Sequence, residues 1–287
     1  MRLKGMLGLA AAILAAVGLT LYFLSPTQGQ TETQLLNLET LNRVKLTVVY
    51  DNYPYKPGLK TAWGFSCLVE ADNTKILFDT GGNPEILLLN LEALGFNPED
   101  LDLVVLSHIH GDHTGGLEAV LSRNPKITVA LPASFPENFK EQLRELGCSV
   151  VEVSSPRELC PGVGTTGVLG GMVEEQALIV RTCRGLLIVT GCAHPGVDRM
   201  VARAVEATGV KPYMVIGGFH LAGASESRIL DIALNLKSLG VEAVAPCHCS
   251  GDEARKVFRE VFGGGYVRAG VGLSVTVTSG GLTVVNH

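Results

Sequence analysis

Apolar and polar residues change their spacing repeatedly along the chain, and the changes predict strands and helices in alternation. The β-branched segment Val44–Tyr50 predicts the first strand, and the helical spacing that begins at Pro84 stops before Gly95. Hairpins and βα units occur in both halves without a linker-like break, so the pattern predicts one layered α/β domain over residues 44–287. The predicted strands are Val44–Tyr50, Phe65–Glu70, Lys75–Asp79, Leu103–Ser107, Ile127–Leu131, Val150–Val153, Ala177–Thr182, Leu186–Thr190, Tyr213–Ile216, Val241–Ala245, Leu273–Thr278 and Leu282–Val285. The predicted helices are Pro84–Leu94, Gly116–Ser122, Ser134–Leu146, Val197–Ala207, Glu226–Leu239 and Glu253–Phe262.

The N-terminal pattern is different. Arg2 and Lys4 precede Gly5–Leu24, a run of 20 residues without a charge, which as a helix spans a hydrocarbon core of about 30 Å. The two cations favour a cytoplasmic N-terminus. We therefore expect a single membrane anchor over residues 1–24, a linker over residues 25–43, and a catalytic domain outside the cytoplasm. The alternatives are a cleaved signal, which would give a secreted protein, and a buried helix of the catalytic domain.

Composition and charge narrow the class of protein. Of the 287 residues 46% are hydrophobic and 18% charged, which is typical of a globular enzyme. The net charge is −5 and the body carries no run of Lys or Arg, so no nucleic-acid partner is indicated. The seven cysteines form no CxxC pair, which argues against a structural zinc finger. We interpret Cys247 and Cys249 as packing residues, because a disulfide between residues two apart would be strained.

Six of the seven histidines lie a few residues after predicted strands. Ligands of α/β sheets gather beyond the carboxyl ends of strands, so these side chains are expected at one rim. Residues two apart in an extended segment face the same way, so His108 and His110 can bind one metal ion, and Asp112 and His113 can reach a second. Imidazole and carboxylate ligands favour Zn²⁺, with Mn²⁺ or Fe as alternatives. The six histidines are His108, His110, His113, His194, His220 and His248.

The segment SHIHGDHTGG, residues 107–116, resembles the signature of the metallo-β-lactamase superfamily. The segments VEEQALIV, IVTGCAHPG, IGGFH and PCHCSG are similar to its 7,8-dihydropterin synthase-like branch, and the resemblance covers about residues 44–285. It implies a four-layer αββα metallo-β-lactamase-like sandwich with a site for one or two metal ions. It also implies that Asp79, in LFDTGG, orients the ligand loop from behind, and that His248 completes the site of Asp112 and His113.

The sequence departs from the better-known hydrolases of that superfamily in two places. Their histidine in a P-G-H-T-like turn is replaced within Pro161–Gly167, and their metal-bridging aspartate is replaced by Cys192. We therefore infer that His194, two residues later, supplies the third imidazole for the metal ion of His108 and His110. Cys192 is expected beside the ions, either as a buried thiol or as a ligand, and the number of ions stays open at one or two.

Together these residues predict a metal-dependent hydrolase that acts on a small-molecule substrate, with phosphoesters or related esters favoured. The metal lowers the pKa of a bound water to about 7, and Asp112 would bind the metal and orient that water. His220 is a candidate metal ligand, substrate contact or general acid. The branch resemblance implies an alternative, a transferase that builds a dihydropterin–ribofuranosylaminobenzene phosphate conjugate, against which the predicted anchor argues because pterin intermediates are cytoplasmic. A metal-binding protein without turnover is the third alternative.

Overall fold

The computed structural model describes residues 35–171 and 173–285. The strands are β1 (Val44–Tyr50), β2 (Ser66–Ala71), β3 (Thr74–Phe78), β4 (Leu103–Val105), β5 (Thr128–Pro132), β6 (Ser149–Val153), β7 (Arg157–Cys160), β8 (Val163–Thr165), β9 (Leu178–Thr182), β10 (Gly185–Thr190), β11 (Pro212–Gly218), β12 (Ala243–Cys247), β13 (Ser274–Thr278) and β14 (Gly281–Val285). The α-helices are α1 (Pro84–Ala93), α2 (Gly111–Thr114), α3 (Leu117–Leu121), α4 (Glu137–Glu145), α5 (Val197–Thr208), α6 (Glu226–Ser238) and α7 (Asp252–Phe262).

The strands form two sheets. The first sheet has eight strands in the order β14-β13-β1-β2-β3-β4-β5-β6, and the second has six in the order β12-β11-β10-β9-β8-β7. In the first sheet β3, β4, β5 and β6 are parallel, and in the second β10, β11 and β12 are parallel. Parallel neighbours end at the same edge, so the residues that follow these strands emerge side by side.

The main core lies between the two sheets. Alternate residues of β1, such as Leu46 and Val48, pack there with Phe78, Val189 and Ile216. The outer face of the first sheet is covered by α1, α3 and α4, and the outer face of the second by α5, α6 and α7. The domain is therefore a mixed α/β structure of two facing sheets with helices outside each, as the sequence pattern and the resemblance predict.

The sequence pattern misses the hairpin of β7 and β8. Arg157–Cys160 is exposed or half-buried and shows no apolar alternation, and Val163–Thr165 contributes only three residues. Gly162, at φ +74, makes the turn between them. Three of the seven residues of Pro161–Gly167 thus lie in a strand, whereas the sequence analysis treats the segment as a turn that has lost a histidine.

Residues 35–43, which the sequence pattern assigns to a linker, lie against the second sheet. The amide of Leu36 donates to Ala207 O at 2.7 Å, and the amide of Leu41 donates to Arg181 O at 3.0 Å. Leu38 is 2% exposed and packs among the helices on the outer face. The packed domain therefore includes residues before Val44.

The predicted membrane-anchored location needs correction. Among residues 35–171 and 173–285, no helix has the length and apolar character required to cross a bilayer. The segment that motivates the prediction, residues 1–24, lies outside the described residues.

Candidate metal centre

The predicted ligands converge at the carboxyl ends of the parallel strands of both sheets. Their donor atoms fall into three groups, and within each group all donors lie within 4.8 Å of one another. The first group is the trihistidine set, which consists of His108, His110 and His194. The second is the mixed set, which consists of Asp112, His113, Cys192 and His248, and the third is the thiol set, which consists of Cys192, His220 and Cys249.

The trihistidine set brings two neighbours in sequence together with a histidine from the other sheet. His108 Nε2 and His110 Nδ1 are 3.1 Å apart. The ring centroid of His194 lies 4.7 Å from that of His108 and 5.0 Å from that of His110. Three imidazoles at this separation are a donor set that suits Zn²⁺.

The mixed set contains a buried ring nitrogen with no hydrogen-bond partner among the described residues, His248 Nε2. This atom lies 3.3 Å from Asp112 Oδ2, and His113 Nε2 lies 3.2 Å from Cys192 Sγ. A buried polar atom normally has a partner, and a metal ion among these donors would supply one for His248. The residues present therefore fit a divalent metal ion.

Asp79 fixes two ligands from behind. Its Oδ2 accepts hydrogen bonds from His113 Nδ1 at 2.6 Å and from Ser107 Oγ at 2.7 Å, and its Oδ1 accepts from the Ser107 amide at 2.7 Å. Because the Ser107 hydroxyl donates to Asp79, its oxygen accepts from His108 Nδ1 at 2.8 Å. Both His108 and His113 therefore carry the Nδ1 proton and present Nε2 toward the rim.

Glu175 holds the loop that carries Cys192 and His194 in place. Its fully buried carboxylate accepts from the amides of Cys192 and Ala193, each at 2.8 Å, and from the amide and ring Nδ1 of His194, each at 2.9 Å. Burial raises the pKa of Glu175, but the hydrogen bond with His194, the nearby His108 and these amides outweigh burial and lower it to about 2. The ionised carboxylate leaves His194 Nε2 free to bind a metal.

His248 is held from the other side of the rim. Its Nδ1 lies 3.1 Å from Asn52 Oδ1, and Asn52 Nδ2 donates to His248 O at 3.3 Å. The ring of Trp63 lies 4.8 Å from the His248 ring, although 58% of Trp63 is exposed. Asn52 therefore orients Nε2 of His248 toward the mixed set, and Trp63 forms a wall of the site.

Backbone strain is concentrated in this rim. Four of the five described non-glycine residues with positive φ belong to it: Asp79 at +56°, Ala193 at +61°, His220 at +50° and His248 at +47°. Such a conformation costs about 1–2 kcal/mol for a residue with a side chain. It persists where the surroundings hold it, and such residues cluster at functional sites.

Comparisons with known proteins agree with this geometry. The sequence model of the metallo-β-lactamase superfamily matches residues 64–198 of this chain. The chain is 32% identical to the 7,8-dihydropterin-6-methyl-4-(β-D-ribofuranosyl)-aminobenzene-5'-phosphate synthase of Methanocaldococcus jannaschii, over 79% of this chain and 95% of that protein. The chain belongs to the metallo-β-lactamase superfamily. The predicted resemblance, including its dihydropterin synthase-like branch, is confirmed.

Solved structures extend the comparison within the superfamily. Tm1679, described as a metal-dependent hydrolase of the β-lactamase superfamily, superposes with a TM-score of 0.67 at 28% identity, over 80% of this chain and 98% of that one. A diphosphatase of the PhnP family superposes with a TM-score of 0.55 at 16% identity, over 83% of this chain and 98% of that one, which shows the fold alone. The chain thus belongs to an enzyme superfamily with hydrolase and synthase members.

The structure adds residues to those predicted from the sequence. Glu175 lies in the segment VEEQALIV. Its distance along the sequence from Cys192 and His194 does not reveal the hydrogen bonds between them, because these depend on the pairing of β9 with β10. Cys247 packs between the sheets as expected. Cys249, which the sequence analysis interprets as a packing residue, is buried, and its Sγ lies within the thiol set.

Proposed function

We propose that the protein is a metal-dependent hydrolase that activates water at this rim to cleave a small-molecule phosphoester or related ester. The observation that carries the proposal is the adjacency of the trihistidine and mixed sets, which present three and four donors. Four of their five imidazoles are oriented by Asp79 with Ser107, by Glu175 or by Asn52, namely those of His108, His113, His194 and His248. We further propose Zn²⁺ as the metal, in one or two ions, with Mn²⁺ or Fe as alternatives.

The bound metal would lower the pKa of water to about 7 and polarise a phosphoryl or carbonyl oxygen. In this proposal Nε2 of His108, Nδ1 of His110 and Nε2 of His194 hold one ion, and the mixed set holds another. Asp112 turns Oδ2 toward both His113 Nε2, at 3.6 Å, and His248 Nε2, at 3.3 Å. Its other oxygen is then available to accept a hydrogen bond from the attacking water and orient it.

The walls of the rim support a small-molecule substrate. The indole of Trp63 stands at the His248 end, and a cavity of 260 Å³ lies beside His110 at the other end. The cavity is lined by apolar Ile109 and Phe135 among other residues. We propose that the non-reacting part of the ester rests on one of these apolar surfaces, because such surfaces bind the carbon skeleton of a ligand while polar groups fix its orientation.

The similarity to the M. jannaschii synthase supports a second candidate. Its alignment covers 95% of that protein, and Cys192 stands where the better-known hydrolases carry a bridging aspartate. The second candidate is transfer of a dihydropterin-6-methyl group to a ribofuranosylaminobenzene phosphate. The amino nitrogen of the aminobenzene would form the new bond to the methyl carbon and lose a proton to solvent, and the leaving group on that carbon would depart with its electron pair.

The test is a substrate panel on purified protein of measured metal content. Phosphomonoesters, phosphodiesters, thioesters and lactones are assayed for hydrolysis. A dihydropterin with a leaving group on its 6-methyl carbon is assayed for condensation with 4-(β-D-ribofuranosyl)aminobenzene 5'-phosphate. We expect hydrolysis of one ester class that His110→Ala abolishes and that the exposed control Glu118→Gln retains.

Other results would change the assignment. Full activity in His110→Ala, or protein without stoichiometric metal, would contradict the proposal. Condensation without hydrolysis would assign the second candidate, and stoichiometric metal without turnover would indicate a metal-binding protein.

A further inference from the structure

Two thiols and an imidazole meet beside the proposed catalytic metal site. Cys192, His220 and Cys249 follow β10, β11 and β12, which are adjacent parallel strands. The register pairs Thr190 with Gly217 and Gly218 with Cys247, so the three following segments emerge side by side. Their donor atoms lie within 4.8 Å of one another.

The space around Cys249 is kept open by a glycine. A Cβ at Gly218 would overlap Gly191 O, and it would also lie 2.7 Å from Cys249 Sγ and 3.2 Å from His248 Cδ2. A methyl group would therefore occupy the position into which the thiol projects. Cys192 and Cys249 are 4% and 5% exposed, whereas the His220 ring is exposed, so the set is buried on its sulfur side and open on its imidazole side.

The thiol set is continuous with the other two sets. Cys192 belongs to both the thiol set and the mixed set, and its Sγ lies 3.2 Å from His113 Nε2. The ring centroid of His220 lies 4.4 Å from that of His194. An ion among Cys192, His220 and Cys249 would therefore sit directly beside the ions proposed above.

We propose that Cys192, Cys249 and His220 form a third metal-binding set, which takes a soft divalent cation such as Zn²⁺ and shares the Cys192 thiolate with the mixed set. Thiolate ligands select Zn²⁺ over Mg²⁺, Ca²⁺ or Mn²⁺. Each thiol releases its proton to solvent as the metal–sulfur bond forms. Zn²⁺ takes four ligands, so three protein donors leave one position for a water or a substrate atom.

This assignment gives His220 one of the three roles open to it from the sequence. As a ligand it holds metal at the open side of the set, and no general-acid role is needed. The proposal does not depend on hydrolysis, because metal binding by these three residues can be measured in protein that turns over nothing.

The test is a titration of the metal-free full chain with Co²⁺, in which thiolate-to-cobalt charge-transfer absorption reports cobalt–sulfur bonds. We expect this absorption in the wild type, a partial loss in Cys249→Ser because Cys192 remains a ligand of the mixed set, and a complete loss when Cys192→Ser is added. Metal analysis should find one equivalent fewer in Cys249→Ser. Cys183→Ser, which removes an exposed thiol outside the set, is the matched control and should change neither quantity.

His220→Ala provides a second variant, whose altered side chain is exposed and which retains every thiol. We expect the charge-transfer band to shift and the same equivalent of metal to be lost. A wild type without this absorption, or Cys249→Ser and His220→Ala with wild-type spectra and stoichiometry, would overturn the proposal. If the wild type shows the charge-transfer absorption but hydrolyses nothing in the substrate panel, the result would count only against the proposed function.

Discussion

Glu175 accepts two hydrogen bonds from one residue, His194, through the backbone amide and the ring Nδ1, each at 2.9 Å. The same carboxylate accepts hydrogen bonds from the backbone amides of Cys192 and Ala193. One buried side chain thus determines both the path of this loop and the tautomer of a proposed ligand. The positive φ of Ala193, in the middle of the loop, is tolerated because these four bonds hold the backbone around it.

The first prediction is that Glu175→Gln weakens metal binding. A glutamine amide has one acceptor oxygen and places donor hydrogens against backbone amides that themselves donate. We expect the affinity for Zn²⁺ to fall by about 10–100-fold. We also expect stability to fall by about 1–3 kcal/mol, because a buried donor is left unpaired. Competition with a chromophoric chelator measures the affinity, and urea unfolding measures the stability.

The neighbouring Glu174→Gln is the matched control, because Glu174 is exposed while Glu175 is completely buried. It should leave the Zn²⁺ affinity and the urea midpoint unchanged. Equal effects of the two substitutions would mean that Glu175 does not position His194.

The second prediction separates two residues behind the rim. Asp79→Asn places a donor group against Ser107 Oγ or His113 Nδ1, whereas Ser107→Ala removes only the hydroxyl that links Asp79 to His108. We expect Asp79→Asn to lower Zn²⁺ affinity by about 10–100-fold and Ser107→Ala to lower it less. Isothermal titration of metal-free protein compares them, and the opposite order would contradict the hydrogen-bond path described above.

The third prediction concerns metal removal. A ligand that binds only the folded state adds about 2.7 kcal/mol of stability when its free concentration is 100-fold above the dissociation constant. For a domain of this size that raises the Tm by about 5–10 °C. Chelator should lower the Tm of the purified protein by this amount and added Zn²⁺ should restore it. In a His108→Ala, His248→Ala double variant, which retains the thiol set, the response to Zn²⁺ should be reduced but not abolished, and a full response there would place the stabilising metal outside the trihistidine and mixed sets.

Each ligand proposed from the sequence comes shortly after an apolar strand. β4 and β10 are continuous buried runs that end three residues before His108 and two residues before Cys192, so strand prediction alone places these side chains at one rim. Glu175 has no such signal. It precedes β9, and only the pairing of β9 with β10 brings its carboxylate to the loop that it holds.

The position of Cys249 could not be predicted from the sequence for a different reason. Its neighbour Cys247 ends β12 and packs between the sheets, and the chain then turns through a short 3-10 helix. The backbone of His248 adopts the left-handed conformation, with φ +47. This conformation is uncommon for a histidine and is not predicted by the sequence. The side chain of Cys249 is thereby directed toward the rim. Spacing rules for extended strands do not apply across such a residue.

The glycines of the motif SHIHGDHTGG differ in how much space surrounds them, which the sequence does not show. Glycine permits tight turns and close approach of the backbone, and the motif contains Gly111, Gly115 and Gly116. The structure shows open space around a Cβ at Gly111, whereas a Cβ at Gly115 would lie 2.6 Å from Gly82 O and one at Gly116 would overlap Thr80 O. Close packing therefore requires glycine at the last two positions and not at the first.

The fourth prediction follows from this difference. Gly116→Ala must push α3 away from the loop after β3, so we expect it to lower the free energy of unfolding by about 1–3 kcal/mol. Gly111→Ala, in the first turn of α2, has no atom to displace and reduces the freedom of the unfolded chain. It should leave stability unchanged or raise it by about 0.4–1 kcal/mol. Urea unfolding of the two metal-free variants makes the comparison without interference from metal affinity. A loss in Gly111→Ala as large as that in Gly116→Ala would show that this turn needs glycine for its backbone conformation rather than for the space around Thr80.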